Sequence, residues 1–197
     1  MEAETTDTIY IPTAGLYLEK TYQNPMTVAK GNLAGATIHI ESADGYYSKD
    51  YVTTSIRLFV NDLLPGTYTI TETVAPAGYI KSSQTYTVEI DANDCYTPMG
   101  SIPTYSFVNT AIVVRIIKED MTTREALAGA TIQIIPSNSS PYSITSTTEP
   151  YLLLNVSKGV TYTVKELVAP PGYLVPSDSF QFQIASSGTI QVLKISL

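Results

Sequence analysis

Apolar residues recur at every second position in short runs along this 197-residue chain, the period of half-buried β-strands. Gly15 to Tyr22 sets Leu16, Leu18 and Lys20 on one face, and Val113 to Glu119 does the same with Val114, Ile116 and Lys118. Ile56 to Val60 alternates, and Leu64-Pro65-Gly66 then supplies a turn into Thr67 to Thr73. Along that stretch Tyr68, Ile70 and Glu72 share one face, with threonines on the other. Thr85 to Ile90 and Thr104 to Asn109 complete the set, and no helical period persists beyond a few residues. Regular short strands with Gly/Pro turns predict an all-β fold of the sandwich type.

The pattern occurs twice. Leu33-Ala34-Gly35-Ala36-Thr37-Ile38 returns as Leu127-Ala128-Gly129-Ala130-Thr131-Ile132, an offset of 127 − 33 = 94. Tyr68-Thr69-Ile70-Thr71-Glu72 returns as Tyr162-Thr163-Val164-Lys165-Glu166, and Ala75-Pro76-Ala77-Gly78-Tyr79 as Ala169-Pro170-Pro171-Gly172-Tyr173, in the same register. The run Gln84 to Ile90 matches Asp178 to Ile184 in pattern. Four blocks in one register predict two copies of one domain, 1–110 and 111–197.

Composition agrees and narrows the function. Hydrophobic residues make up 44% and charged residues 15%, enough apolar material for two small cores. Fifteen tyrosines, four phenylalanines and no tryptophan suit strands. The net charge of −7 lies in residues 1–110 (12 acids, 5 bases), while residues 111–197 balance 6 against 6. A nucleic-acid partner needs a basic face, which is lacking. Cys95 stands alone, so no internal disulfide staples the chain. There is no run of 18 apolar residues to span a membrane, and the polar Glu2-Ala3-Glu4-Thr5-Thr6 is no secretory signal.

Three polar residues fall on inward faces: Lys20 on the first strand, Glu72 on a middle strand and Asn109 on the last, in line with Tyr105 and Phe107. Buried charges without partners are very costly, so these groups should meet. They make either a buried Lys–Glu ion pair with a hydrogen-bonded Asn, or a self-made amide bond between Lys20 and Asn109. The second is sound chemistry. Burial favours a neutral amine, which can attack, and a neutral carboxyl. Glu72 would then polarise the Asn109 carboxamide and pass protons to the leaving ammonia, with a dry core supplying proximity.

The run Tyr68-Thr69-Ile70-Thr71-Glu72-Thr73-Val74-Ala75-Pro76-Ala77-Gly78-Tyr79 resembles the E-box of Gram-positive pilins, Y-x-L-x-E-T-x-A-P-x-G-Y, with Ile70 for Leu. Tyr162 to Tyr173 is a second copy, with Val164 for Leu and Leu167 for Thr. The Leu33 and Leu127 blocks are similar to that family's L-x-G-A-x-F segment. Together these resemble the collagen-adhesin B-type (SpaA-like, prealbumin-like) domain over nearly the whole chain. The resemblance implies two tandem seven-stranded β-sandwiches of reversed immunoglobulin topology. It also implies an intramolecular isopeptide bond joining Lys20 and Asn109, promoted by Glu72. The run from Lys20 to Leu33 is four residues longer than its counterpart from Lys118 to Leu127, which leaves Lys30 as an alternative nucleophile. In the second copy Lys118 and Glu166 are in place, but aligning Gly188 with Gly100 puts Leu197 at the position of Asn109. The inward row there is Leu193, Ile195, Leu197, so the second domain is expected to lack the bond unless an Asn follows Leu197.

The resemblance implies a structural stalk or pilus subunit on a Gram-positive cell surface, exported and wall-anchored, with signal and anchor outside this sequence. Its partners would be other pilus subunits or neighbouring domains of the same surface protein. The alternative is an adhesin module binding a host matrix protein or glycan through its variable stretches, Tyr22 to Gly31, Ser42 to Val52, Asp91 to Pro103 and Pro136 to Pro150. Tyr46, Tyr47 and Tyr51 are the contact candidates there. A Y-P-K pilin lysine and an L-P-x-T-G signal are absent, which favours a tip or basal subunit over the shaft. No enzyme is expected beyond the self-reaction. His39, the single histidine, reads as a solvent-facing strand residue. Asp91, Asn93 and Asp94 do not have the spacing of a calcium loop, and no other metal or cofactor motif occurs. Asn155-Val156-Ser157 matches a glycosylation acceptor, of little meaning in a bacterial protein.

Overall fold

The computed structural model describes residues 11–25, 29–98, 101–154 and 156–184. The inward row Leu193, Ile195, Leu197, the Gly100 and Gly188 anchors of its register, and Asn155 lie outside the described residues. By compactness the chain divides into two units, one of Met1–Thr21, Asn32–Val74 and Ser82–Val108, the other of Tyr22–Gly31, Ala75–Lys81 and Asn109–Leu197.

The first repeat carries nine strands: β1 (Ala14–Gln23), β2 (Lys30–Asn32), β3 (Thr37–Ser42), β4 (Ser48–Val52), β5 (Leu58–Leu63), β6 (Gly66–Val74), β7 (Tyr79–Ile80), β8 (Thr85–Ile90) and β9 (Thr104–Ala111). One sheet has the order β2-β1-β9-β7, with β5 also paired to β1, and the other has the order β4-β3-β6-β8. Seven of these are long, the number the resemblance implies, and two are short. The short β2 turns back onto β1 as Leu33 N–H reaches the Lys20 carbonyl at 2.9 Å, a bond that Leu127 and Lys118 repeat at 2.8 Å. A one-turn 3₁₀ helix, Asp94–Tyr96, follows β8. Inward residues of both sheets, among them Leu16, Leu18, Ile38, Ile40, Val60, Ile70, Val88 and Phe107, form one buried cluster, the arrangement of a sandwich.

The second repeat has six strands among the described residues: β10 (Val114–Ile116), β11 (Thr131–Pro136), β12 (Tyr142–Thr145), β13 (Tyr151–Leu153), β14 (Thr161–Val168) and β15 (Phe180–Gln183). β10 pairs with β13, and the other sheet runs β12-β11-β14-β15. Val114, Ile116, Ile132, Ile134, Leu153, Val164 and Phe182 build its core.

The repeats agree in detail. Tyr68 pairs with Val88 and Ile70 with Tyr86; Tyr162 pairs with Phe182 and Val164 with Phe180, each 94 residues on. The strand paired with each glutamate strand, β3 or β11, carries the same irregularity, between Thr37 and Ile38 and between Thr131 and Ile132. In both copies the A-P-x-G-Y segment closes a turn, with the tyrosine N–H on the carbonyl of Pro76 or Pro170. The third position of that turn has φ of +84° at Gly78 and +89° at Gly172, which only glycine adopts without strain.

Candidate functional site

Lys20 sits near the end of β1, on the face that carries Leu16 and Leu18 to the core, and its side chain is fully buried. Glu72 lies on β6 beside Ile70 and is buried to the same degree. Lys20 Nζ is 3.9 Å from Glu72 Oε1 and donates to the Phe107 carbonyl at 2.9 Å and the Thr21 carbonyl at 3.3 Å. Asn109 follows Phe107 by two residues on β9, so the pleat carries both side chains to one face, and both are fully buried. The amine is therefore anchored on the strand that bears the carboxamide. Lys30, by contrast, is exposed on β2.

Burial lowers the Lys20 amine from the ordinary 10.5 to about 8, against the opposing pull of the Glu72 carboxylate. The remaining Glu72 oxygen, Oε2, accepts the main-chain N–H of Ser82 at 2.7 Å. Ser82, in the loop between β7 and β8, has no chemistry of its own in the sequence. It was legible only by knowing which backbone the carboxylate faces.

The second repeat holds the same two charges. Lys118 Nζ lies 3.5 Å from Glu166 Oε2, with side-chain exposures of 3% and 0%. Neither Glu166 oxygen has a hydrogen-bond partner among the described residues.

A second shared device also escaped the sequence reading. Thr53, just past β4, is buried; its hydroxyl accepts the Ala36 N–H at 3.0 Å and donates to the Leu33 carbonyl at 3.3 Å. Ser146 repeats this with Ala130 and Leu127 at 2.9 and 2.7 Å. One hydroxyl thus closes each L-A-G-A segment, whose glycines have φ of +85° and +92°.

The tyrosine candidates separate. Tyr51 is on strand β4 and Tyr47 immediately precedes it, so the stretch Ser42 to Val52 is largely strand where a variable loop was expected. The Tyr47 and Tyr51 hydroxyls meet each other and both lie within hydrogen-bond distance of Asp62 Oδ1, at 2.8 and 3.3 Å, so their two O–H donors serve three contacts. Lys49 pairs with the other Asp62 oxygen. Burial first, and then the Tyr51 hydroxyl and Asp62, push the Tyr47 phenol well above its usual range. Tyr46 is 94% exposed. His39 lies on the β3 face opposite the buried Ile38 and Ile40, bound to Asp50 through Nδ1 at 2.7 Å, with Glu41 at 3.5 Å and Ser48 at 3.4 Å from Nε2. Cys95, in the 3₁₀ turn, is half-buried against the first core. Among the described residues no group of three or more His, Cys, Asp or Glu could hold a metal ion. No helix is long and apolar enough to cross a membrane.

A twice-repeated antiparallel sandwich, with a lysine and a glutamate buried together in each copy, defines a class of structural β-domain. The chain belongs to the SpaA family of prealbumin-like fold domains, which matches residues 25–100 and 113–196. No curated protein matches the sequence. Among solved structures, the C-terminal fragment of the pilus adhesin SpaC from Lactobacillus rhamnosus GG is 19% identical, with a TM-score of 0.52. That match covers 90% of this chain and 85% of the fragment, and at this identity it shows a shared fold. The Bacillus anthracis TIE protein is also 19% identical, with a TM-score of 0.47, over 94% of this chain. This chain spans about a third of the TIE protein's length, 34%.

Proposed function

We propose that this chain is a stalk or pilus-subunit module of a Gram-positive cell-surface protein, its first domain stapled by an isopeptide bond between Lys20 and Asn109. Its domains are 1–110 and 111–197, and the site residues are Lys20 as nucleophile, Asn109 as acyl donor and Glu72 as proton shuttle, with Lys118 and Glu166 as unlinked equivalents. One observation carries the reading: a lysine whose amine is buried, lowered to about 8, and hydrogen-bonded two residues from a buried Asn on the last strand. A bond there joins first strand to last, so a pull on the domain's ends would run through the bond and leave the rest unloaded. Membership of the SpaA family and a fold shared with a pilus adhesin fragment support this placement. Wall anchoring outside the cell, with other pilus subunits or neighbouring domains as partners, follows from the same reading.

Intact mass tests it. The parent is expected to fall short of its sequence mass by one ammonia, and Glu72→Ala to show the full mass. A parent of full mass would remove the staple.

A direct adhesin role has one observation in its favour, the 94% exposed Tyr46 at the tip of the β3–β4 hairpin. Tyr46→Ala would then abolish capture of a matrix protein or glycan that the parent retains.

A further inference from the structure

Glu72 and Glu166 occupy matched positions, opposite Ile38 and Ile132 in the same register. The strands after them, β8 and β15, are also matched at an offset of 94, so the intervening segments have equal length. The counterpart of residue 82 is therefore 82 + 94 = 176. Residue 82 is Ser, whose main-chain N–H binds Glu72 Oε2 at 2.7 Å. Residue 176 is Pro, which has no N–H to give. Glu166 is left fully buried with neither oxygen hydrogen-bonded among the described residues.

The donor has a chemical consequence. A neutral carboxyl presents one carbonyl-type oxygen, the better acceptor, and one hydroxyl. An N–H fixed on Oε2 favours the carbonyl form there and places the proton on Oε1, the oxygen 3.9 Å from the Lys20 amine. That is the side on which the reaction needs it. Lys20 Nζ bonds to the Asn109 carboxamide carbon, the bond from that carbon to its own nitrogen breaks, and ammonia leaves. The proton that passes from the Lys20 ammonium to Glu72 within the buried pair is lent to the departing carboxamide nitrogen and replaced from the attacking amine. Amine plus carboxamide gives amide plus ammonia, with no change of oxidation state.

We propose that the main-chain N–H of Ser82 is a positioning group for this self-reaction, setting which Glu72 oxygen carries the proton, and that Pro176 removes it from the second repeat. The second repeat is thus disarmed at the carboxyl's support. The inference rests on Lys20, Glu72 and Asn109 being a cross-linking set, and it concerns the backbone of residue 82, not the serine hydroxyl.

The test compares Ser82→Pro with the conservative Ser82→Ala by intact mass at harvest and during incubation at neutral pH. Ser82→Pro is expected to leave unreacted chain that loses ammonia at least about tenfold more slowly than the parent, a modest share of what general acid–base catalysis supplies. Ser82→Ala, which restores the N–H, is expected to restore the reaction. A protein losing only local packing would not be sorted this way by the N–H. If Ser82→Pro does not fold, an amide-to-ester replacement at residue 82 removes the N–H with little change of shape, and the same slowing is expected. A fully cross-linked Ser82→Pro or ester chain overturns the proposal while leaving the staple intact, as does a Ser82→Ala chain that stays unreacted. A parent of full mass overturns staple and proposal together.

Discussion

If Lys20 and Asn109 are joined as proposed, replacing Asn109 removes the acyl donor and leaves the staple open at a position where the fold itself should survive. The bond would close a loop from residue 20 to residue 109, 109 − 20 = 89 residues on. In the chain-entropy model, cross-linking a loop of this size removes enough unfolded-state freedom to stabilise by roughly 4–5 kcal/mol. For a domain of about 100 residues, that corresponds to a melting temperature lower by on the order of 20 °C in Asn109→Ala. Asn109 is itself fully buried, so the substitution also costs packing and hydrogen bonds. Glu72→Gln also leaves Lys20 and Asn109 unjoined and keeps both side chains, at the further cost of the Lys20 counter-charge. Thermal unfolding followed by circular dichroism, with the mass of each sample checked, should place both variants well below the parent. A Glu72→Gln chain that carries its ammonia and still melts with the parent would refute the stapling argument, whatever Asn109→Ala does.

Two further outcomes follow from the buried charges. In uncross-linked Asn109→Ala the Lys20 amine titrates at about 8 when folded and 10.5 when unfolded, so between those values the unfolded chain holds more protons and stability rises with pH. The gain is at most about 3 kcal/mol and would be absent in a cross-linked parent, where the amide nitrogen does not titrate. The phenols that burial raises, Tyr47 and Tyr51 among them, work in the opposite sense above about pH 10 in both proteins, so the difference between their denaturant midpoints across pH 7–10.5 is the readout; identical pH profiles would contradict the Lys20 assignment. In the second repeat, Glu166→Leu should lose about 3–5 kcal/mol by stranding Lys118 without its counter-charge, whereas Lys118→Met with Glu166→Leu should be neutral or stabilised by up to about 4 kcal/mol. Guanidinium unfolding distinguishes these, and a double variant as weak as the single one would show that the pair is a net asset.

Period and repetition alone placed Lys20, Glu72 and Asn109 on inward faces, and all three are buried. They did so because strand side chains alternate, so a polar residue in line with Leu16 and Leu18, or with Ile70, has one direction to point. The offset of 94 likewise foretold matched pairing in two sandwiches. The tertiary structure alone decided who meets whom across strands. The Ser82 N–H on Glu72, the hydroxyls of Thr53 and Ser146 closing the L-A-G-A segments, and Asp62 holding Tyr47, Tyr51 and Lys49 all join residues that periodicity treats as unrelated. Three of these contacts use a main-chain N–H, which every residue but proline carries, so the residue type at the donor gives no sign of it. Pro176 is the exception that made one of them visible: comparing the two copies turns a missing N–H into a readable difference once the fold shows what that N–H does. Alternation fixes which face a residue occupies, but the neighbour across that face is set by strand order and register, which the chain settles only on folding.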